Sequence, residues 1–250
     1  MKYLIVIANG LTDRPIAEKD NKTPLQLADT PNLDQMVREG RTGSVQTIPD
    51  SHHIGNDVSY LSLLGYDPAQ YDIAPAYFDA LAMGVNLKDG EIPLCCDFVT
   101  LQSSHNDMVM KDYTADHLSC DEARGYLKAL QEQISDCAVT FHPGQGYHNL
   151  MVMESEPFSE RLTPPEELIG EGIRNFMPGD DQFKELIYVT NQAQIILHNH
   201  PVNQQRKRES RDPVNSIWLW GNGKTGTLPS FEGKFGKSAT LISASLLFQG

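Results

Sequence analysis

The sequence has few basic residues for its length. Twenty lysine and arginine residues stand against 33 aspartate and glutamate residues in a chain of 250, so the formal net charge is −13. A field of that sign repels phosphate backbones and anionic lipid headgroups. It therefore argues against nucleic acids and membrane surfaces as partners.

Long apolar runs are also absent. No stretch approaches the roughly 18 apolar residues that a membrane-spanning helix needs. The apolar opening at residues 3–8 is too short for the core of a signal peptide and runs straight into Asn9-Gly10. We therefore expect a soluble, cytoplasmic protein.

The sequence has few cysteines, and their spacing matches no common metal-binding motif. Cys95 and Cys96 are adjacent, and Cys120 and Cys137 stand alone, so the sequence contains no pair separated by two residues. Without such a pair, no zinc site of the usual cysteine spacing is predicted. The four thiols are expected to be free and buried or half-buried.

The N-terminal part predicts alternating strands and helices. Residues 3–8 form a continuous apolar run of strand length, and residues 43–48 are a second strand candidate. Thr30 is placed to cap a helix that ends at Gly40, and residues 57–64 resume a helical pattern. A continuous apolar run suits a strand that is buried on both faces, as in a parallel α/β sheet.

The pattern changes between about residues 67 and 212. Ser119 and Glu122 are spaced as a capping box at the start of a helix predicted over residues 119–134. A short helix is predicted around residues 166–168, within the acidic surface loop of residues 154–181. Further strands are predicted at residues 98–101, 150–153, 195–197, 216–220 and 240–244.

Two motifs suggest ligand binding only weakly. Residues 221–226 match the pattern GxGxxG, but no helix pattern follows them, so a nucleotide site is not predicted. His198 and His200 would share one face of a strand, which is metal-ligand geometry, or they are polar histidines at a strand end.

Charged residues elsewhere also leave alternatives open. Asp112 and Asp116, beside His117, could ligate a metal, or they could cap the entry to the following helix. The basic segment at residues 204–211 is either a solvated loop or a patch that faces an anion.

Several segments spread over nearly the whole chain carry a family resemblance. They are Lys22-Thr-Pro-Leu25, Thr30-Pro-Asn-Leu-Asp34, Leu61-Ser-Leu-Leu-Gly-Tyr-Asp-Pro68, Asp112-Tyr-Thr-Ala115, His200-Pro-Val-Asn203 and Asn215-Ser-Ile-Trp-Leu-Trp-Gly221. In these segments the chain resembles the archaeal-type, cofactor-independent phosphoglycerate mutases of the alkaline phosphatase superfamily.

The resemblance implies an α/β fold in which a partial alkaline-phosphatase-like core carries an inserted α+β domain. The core is expected at residues 1–66 and 213–250, and the inserted domain at residues 67–212. The C-terminal part of the core is expected to be missing. The family's remaining Asp and His metal ligands lie in that part.

At the catalytic positions the chain departs from the family pattern. The resemblance places the first carboxylate ligand of a divalent metal at Asn9, and the nucleophilic serine at Asn56. An amide is a poorer ligand than a carboxylate, and Asn56 has no hydroxyl that could be phosphorylated. The family metal, Mn²⁺ or Zn²⁺, is therefore expected to bind weakly or not at all.

The substrate-binding positions depart as well. The resemblance implies that any small phosphorylated acid would be bound by a set of five residues, namely Lys22, Asp57, His148, Asn203 and Arg206. Three positions at which the family has arginine are Pro75, Cys95 and His148 here. Guanidinium groups are well suited to hold phosphates and carboxylates, so the loss of three weakens such a site.

Two functions remain open. The first is a phosphoglycerate-mutase-like protein without mutase activity, which acts in binding or interaction with a protein partner or a second copy. The alternative is an active, metal-dependent phosphoglycerate mutase of glycolysis, which converts 3-phosphoglycerate to 2-phosphoglycerate, or a related phosphatase.

Overall fold

The structure is a computed structural model that describes residues 2–8, 10–50, 52, 55–104, 107–177, 179 and 181–250. The chain divides into two compact units, Met1–Gln46 and Thr47–Gly250. The domain boundaries expected near residues 67 and 212 stay a prediction.

The first unit is built from short helices. Its elements are a 3-10 turn at Ala17–Lys19, α1 at Pro24–Leu27 and α2 at Pro31–Glu39. A capping box starts α1, because the Thr23 hydroxyl accepts a bond from the backbone N–H of Gln26 and the Gln26 side chain accepts one in return. The predicted helix between Thr30 and Gly40 is confirmed as α2.

The strands predicted at residues 3–8, 43–48 and 240–244 do not form within the described part of the chain. Their side chains lie in solvent: Leu4 is 88% exposed and Ile242 is 96% exposed. An apolar run becomes a buried strand only where neighbouring strands and covering helices supply hydrogen bonds and packing. These runs have neither in the structure, so the expectation from hydrophobicity alone was wrong.

The second unit contains a sheet and seven helices among its described residues. The helices are α3 at Asn56–Leu63, α4 at Pro75–Ala82, α5 at Cys120–Gln133, α6 at Lys184–Asn199, α7 at Pro201–Arg208, α8 at Phe231–Phe235 and α9 at Leu246–Gln249. Three 3-10 turns lie at Pro165–Leu168, Ile173–Phe176 and Asp181–Phe183. None of the described helices could span a membrane.

Five strands make one antiparallel sheet. They are β1 at Glu91–Ser104, β2 at Asp107–Asp112, β3 at Val139–Gln145, β4 at His148–Glu154 and β5 at Ser216–Trp220. The order is β2-β1-β4-β3, and β5 also pairs with β1. The parallel sheet was expected for the runs at residues 3–8 and 43–48, whereas this antiparallel sheet is built mainly from the segment expected to be α+β, where short connections make hairpins of β1 with β2 and of β3 with β4. The strands predicted at residues 98–101, 150–153 and 216–220 are confirmed.

Both faces of β1 are covered. On one face, Cys96 and Phe98 belong to a large cluster with Tyr126 of α5. On the other face, Cys95 packs with Leu150 of β4 and with Ala76 of α4. Alternation along the strand therefore separates the two adjacent cysteines. It directs Cys95 toward α4.

The strand predicted at residues 195–197 is part of α6 instead. Val189, Ala193 and Leu197 are buried at helical spacing, and a short apolar run alone does not distinguish a strand from a helix. In consequence His198 lies in the last turn of α6, and His200 ends that helix. The expectation that both lie on one strand face was wrong.

The capping box of α5 gives a first test. The Ser119 hydroxyl accepts a hydrogen bond from the backbone N–H of Glu122, and the Glu122 carboxylate accepts one from the backbone N–H of Ser119. Ser119→Ala is expected to lower the free energy of unfolding by about 1 kcal/mol. Ser119→Thr, which keeps the hydroxyl, should stay close to wild type in the same urea titration. Equal stabilities for the alanine variant and wild type would contradict the assignment.

Candidate functional site

A polar cluster lies where α4, β1, β4 and β5 meet. Asp79 comes from the middle of α4, and Cys95 and Asp97 lie two residues apart on β1, so they share one face. His148 is the first residue of β4 and pairs in register with Asp97, while Trp220 ends β5 opposite Cys95. Strand register therefore brings residues distant in sequence into one site.

His148 is held between two carboxylates. Its Nδ1 lies 2.5 Å from Oδ1 of Asp97, and its Nε2 lies 2.8 Å from Oδ2 of Asp79. The Asp79 and Asp97 residues are only 3% and 2% exposed. Because both ring nitrogens face acceptors, both donate, and the ring is an imidazolium.

The electrostatics of the cluster support that protonation state. Loss of hydration lowers the pKa of His148, but the charge of Asp97 and the hydrogen bonds to Asp79 and Asp97 outweigh it, and the pKa lies well above its usual value. Partial desolvation and the charge of Asp97 also raise the pKa of Glu166 nearby. The site is thus acidic overall, with one imidazolium between two carboxylates.

Cys95 and Trp220 complete the hydrogen bonding. The Cys95 thiol donates to Oδ2 of Asp79 at 3.2 Å, and the Trp220 indole N–H donates to Oδ2 of Asp97 at 2.7 Å. Burial, and then the charges of Asp79 and Asp97, raise the pKa of Cys95 well above its usual range. The thiol is therefore neutral and is a poor nucleophile as it stands.

Positions that depart from the family pattern, and that are far apart in the sequence, lie close together in this cluster. Cys95 and His148, two of the three positions at which the resemblance expects arginine, are members of the cluster. The third, Pro75, starts α4 one turn before Asp79. The sequence revealed the missing guanidinium groups, but it did not reveal that Asp79 and Asp97 would enclose His148. That information lies in the register between β1 and β4.

Of the two positions expected to be catalytic, the structure describes only Asn56, because Asn9 lies outside the described residues. Asn56 is exposed at the first turn of α3, where it presents an amide, and the adjacent Asp57 is buried against Arg161, at 3.2 Å from its guanidinium. Lys22, in the first unit, is exposed, and its backbone forms a bridge with Ile16. Substrate binding by Lys22 and Asp57 stays a prediction.

Asn203 and Arg206 are engaged in structural contacts on α7. The Asn203 amide donates to the carbonyls of Leu197 and Val214. The Arg206 guanidinium is 1% exposed and donates to Glu122 at 2.9 Å and to two backbone carbonyls. Residues 204–208 of the basic segment therefore form the end of helix α7, and Arg206 among them is buried. Substrate binding by these two residues also stays a prediction. The side-chain N–H groups named above donate to acceptors of the chain itself.

The remaining polar candidates have local structural contacts. Nδ1 of His200 accepts a hydrogen bond from the backbone N–H of Val202 at the start of α7. Asp112 accepts bonds from the backbone N–H groups of Thr114 and Asp116, so it caps the turn before α5. The capping interpretation of Asp112 is supported by these contacts.

Comparison with known proteins identifies the family. A sequence model described as 2,3-bisphosphoglycerate-independent phosphoglycerate mutase matches residues 37–203. The chain is 37% identical over 250 residues to a probable mutase of that description from Geobacter sulfurreducens, and 38% identical over 254 residues to one from Methanosarcina mazei. It belongs to the family of 2,3-bisphosphoglycerate-independent phosphoglycerate mutases.

The matches cover all of this chain but only part of its relatives. The chain spans 63% of the Geobacter protein and 62% of the Methanosarcina protein. Among solved structures, the PH0037 protein from Pyrococcus horikoshii matches 96% of this chain and 56% of its own, with a TM-score of 0.56 at 24% identity. That likeness concerns the fold, and the predicted mixed α/β fold is confirmed.

The charged cluster makes stability depend on pH. The pKa of His148 is higher in the folded chain than the value of about 6.5 expected when unfolded. Its contribution is therefore complete below about pH 6.5 and is lost as the pH rises through the folded value. Urea titrations in chelator should show the stability difference between wild type and His148→Gln shrinking as the pH rises. His198→Gln, on an exposed histidine, should show little such trend, and a trend of equal size there would contradict the assignment.

Arg206 gives a separate test. Arg206→Met leaves two backbone carbonyls without their buried donor and removes one of the two guanidinium partners of Glu122, which keeps Arg211, so we expect a loss of about 2–4 kcal/mol in the free energy of unfolding. Arg208→Met, on the exposed side of the same helix, should change it by about 0.5 kcal/mol or less. Similar effects of the two substitutions in urea unfolding would contradict the structural role of Arg206.

Proposed function

We propose that this chain is a binding or interaction member of the family, and that it does not catalyse phosphoglycerate mutation through a phosphorylated serine. The observation that carries the proposal is the acidic cluster of Asp79, Asp97 and His148, in which two of the expected arginine positions have become Cys95 and His148. We further propose a cytoplasmic location and a second copy or another protein as partner.

The nucleophile position supports the proposal independently. Asn56 has an amide where covalent phosphoryl transfer requires a hydroxyl, and the amide cannot form the phosphorylated intermediate. Removal of a nucleophile typically lowers the rate by a factor on the order of 10⁴ or more. The change of this one side chain is therefore sufficient to remove the expected mutase reaction.

The charge of the cluster disfavours the expected substrate. A phosphorylated three-carbon acid carries negative charge at both ends, and family arginines would neutralise it. Here the imidazolium of His148 is already neutralised by Asp79 and Asp97. A phosphate would therefore meet buried carboxylates without a free guanidinium in this cluster, and their repulsion opposes its binding.

The metal implied by the family does not fit the donors at its expected positions. Asn9 and Asn56 offer neutral amide groups where a carboxylate and a hydroxyl are needed, and manganese and zinc are held better by charged oxygen, nitrogen or sulfur ligands.

A turnover assay tests the proposal. The protein, with added Mn²⁺, is incubated with 3-phosphoglycerate, and formation of 2-phosphoglycerate is followed through enolase beside an authentic mutase. We expect no turnover above background. We expect the same for Asn56→Ser, because the hydroxyl alone does not restore the positive site.

The outcome that would contradict the proposal is turnover that scales with protein and disappears with chelator, which would favour the active mutase or phosphatase. A calorimetric titration with 3-phosphoglycerate separates binding from chemistry. We expect no affinity tighter than about 1 mM for wild type. Tight binding without turnover would contradict the charge argument while leaving the nucleophile argument in place.

A further inference from the structure

The acidic cluster brings together three kinds of metal-binding atom. Oδ2 of Asp79, Sγ of Cys95 and Nε2 of His148 all lie within 4.8 Å of one another. They come from α4, β1 and β4, so three packed elements fix their positions. Oxygen, sulfur and nitrogen donors in one buried group are the set that zinc and related borderline metal ions prefer.

We propose that Asp79, Cys95 and His148 form a binding site for Zn²⁺ or a similar borderline divalent metal ion. The site is distinct from the family metal position, which the resemblance places at Asn9. It does not depend on whether the chain has lost mutase activity. Sequence spacing could not reveal it, because the neighbouring Cys96 lies on the opposite face of β1 and the other two ligands lie 16 residues before and 53 residues after Cys95.

The surroundings of His148 match those of a metal-ligating histidine. Such a histidine binds the metal with one ring nitrogen and donates from the other to a carboxylate, which fixes the orientation of the ring. Here Asp97 accepts from Nδ1, which leaves Nε2 for the metal. Trp220 in turn donates to the second oxygen of Asp97 and holds that carboxylate in place.

The charges balance when the metal replaces two protons. In the metal-free chain, one proton on Nε2 of His148 and one on the Cys95 thiol both point to Asp79. Binding of one divalent ion releases these two protons, so His148 becomes neutral and Cys95 becomes a thiolate. The net charge of the cluster is unchanged, and the metal takes the place of two hydrogen bonds to Asp79.

The three protein ligands do not complete a tetrahedral shell. The His148 side chain is 23% exposed, whereas Asp79 and Cys95 are buried, so His148 is the ligand that solvent reaches. Three protein ligands leave a tetrahedral ion with a fourth position for water or a small ligand. A purely structural hydrogen-bonded cluster would have the same metal-free geometry, so metal affinity is the property that distinguishes the two.

Cobalt(II) is a suitable probe, because a cobalt–thiolate bond gives a charge-transfer absorption band. The titration uses the 250-residue chain with Cys120→Ser and Cys137→Ser, which removes the exposed and half-buried thiols. We expect one equivalent of cobalt to produce the band and one equivalent of Zn²⁺ to abolish it. Absence of the band in this folded protein would overturn the proposal.

The two adjacent buried cysteines provide a matched control. Cys95→Ser should abolish the band, whereas Cys96→Ser, on the opposite face of β1, should keep it. Persistence of the band in Cys95→Ser, or equal loss in both variants while circular dichroism shows both folded, would contradict the assignment.

Asp97 gives a second measurement that does not remove a ligand. Asp97→Asn should weaken Zn²⁺ affinity about 10–100-fold in competition with a chromogenic chelator, because the amide orients His148 less strongly. Asp107→Asn, at the start of β2 and outside the cluster, should leave the affinity unchanged. Equal affinities for wild type and Asp97→Asn would contradict the role assigned to Asp97.

Discussion

The ion-paired hydrogen bonds of His148 with Asp79 and Asp97 connect helix α4 to the two strands that hold the sheet together. Strand β1 pairs with β2, β4 and β5, and its Asp97 lies directly opposite His148 on β4. Both carboxylates are buried, so each needs the imidazolium as a partner, and removal of the histidine would leave uncompensated charge. The indole N–H of Trp220 is bonded to one of these carboxylates, and burial together with the charges of both keeps the Cys95 thiol neutral.

The contacts of His148 with Asp79 and Asp97 lie where the chain departs from the pattern of its family. Substitution at single positions would weaken a phosphate site gradually, but here Cys95 and His148 replace expected arginines within one cluster, next to two acids. The cluster is acidic where the resemblance predicts two arginines, which is why we propose a site for a cation and not for an anion. Together with the amide of Asn56, this supports our proposal of a family member that does not catalyse the mutase reaction.

Much of the local structure was predictable, because it depends on neighbours in sequence. The Ser119–Glu122 capping box and the apolar residues 150–153 of β4 both identified their elements correctly. The run at residues 3–8 was misjudged, because strand formation requires pairing that hydrophobicity does not encode. The acidic site was only half predictable: the altered residues were visible, but their meeting depends on strand register and on the placement of α4.

The protonation state of His148 tests the account most directly. Nitrogen-15 NMR of the imidazole ring in metal-free protein, at about pH 7.5, distinguishes an imidazolium from either neutral tautomer. The account predicts protons on both Nδ1 and Nε2 at a pH where an exposed histidine is already neutral. A neutral ring that titrates near the ordinary value of about 6.5 would contradict the arrangement of Asp79 and Asp97 around it.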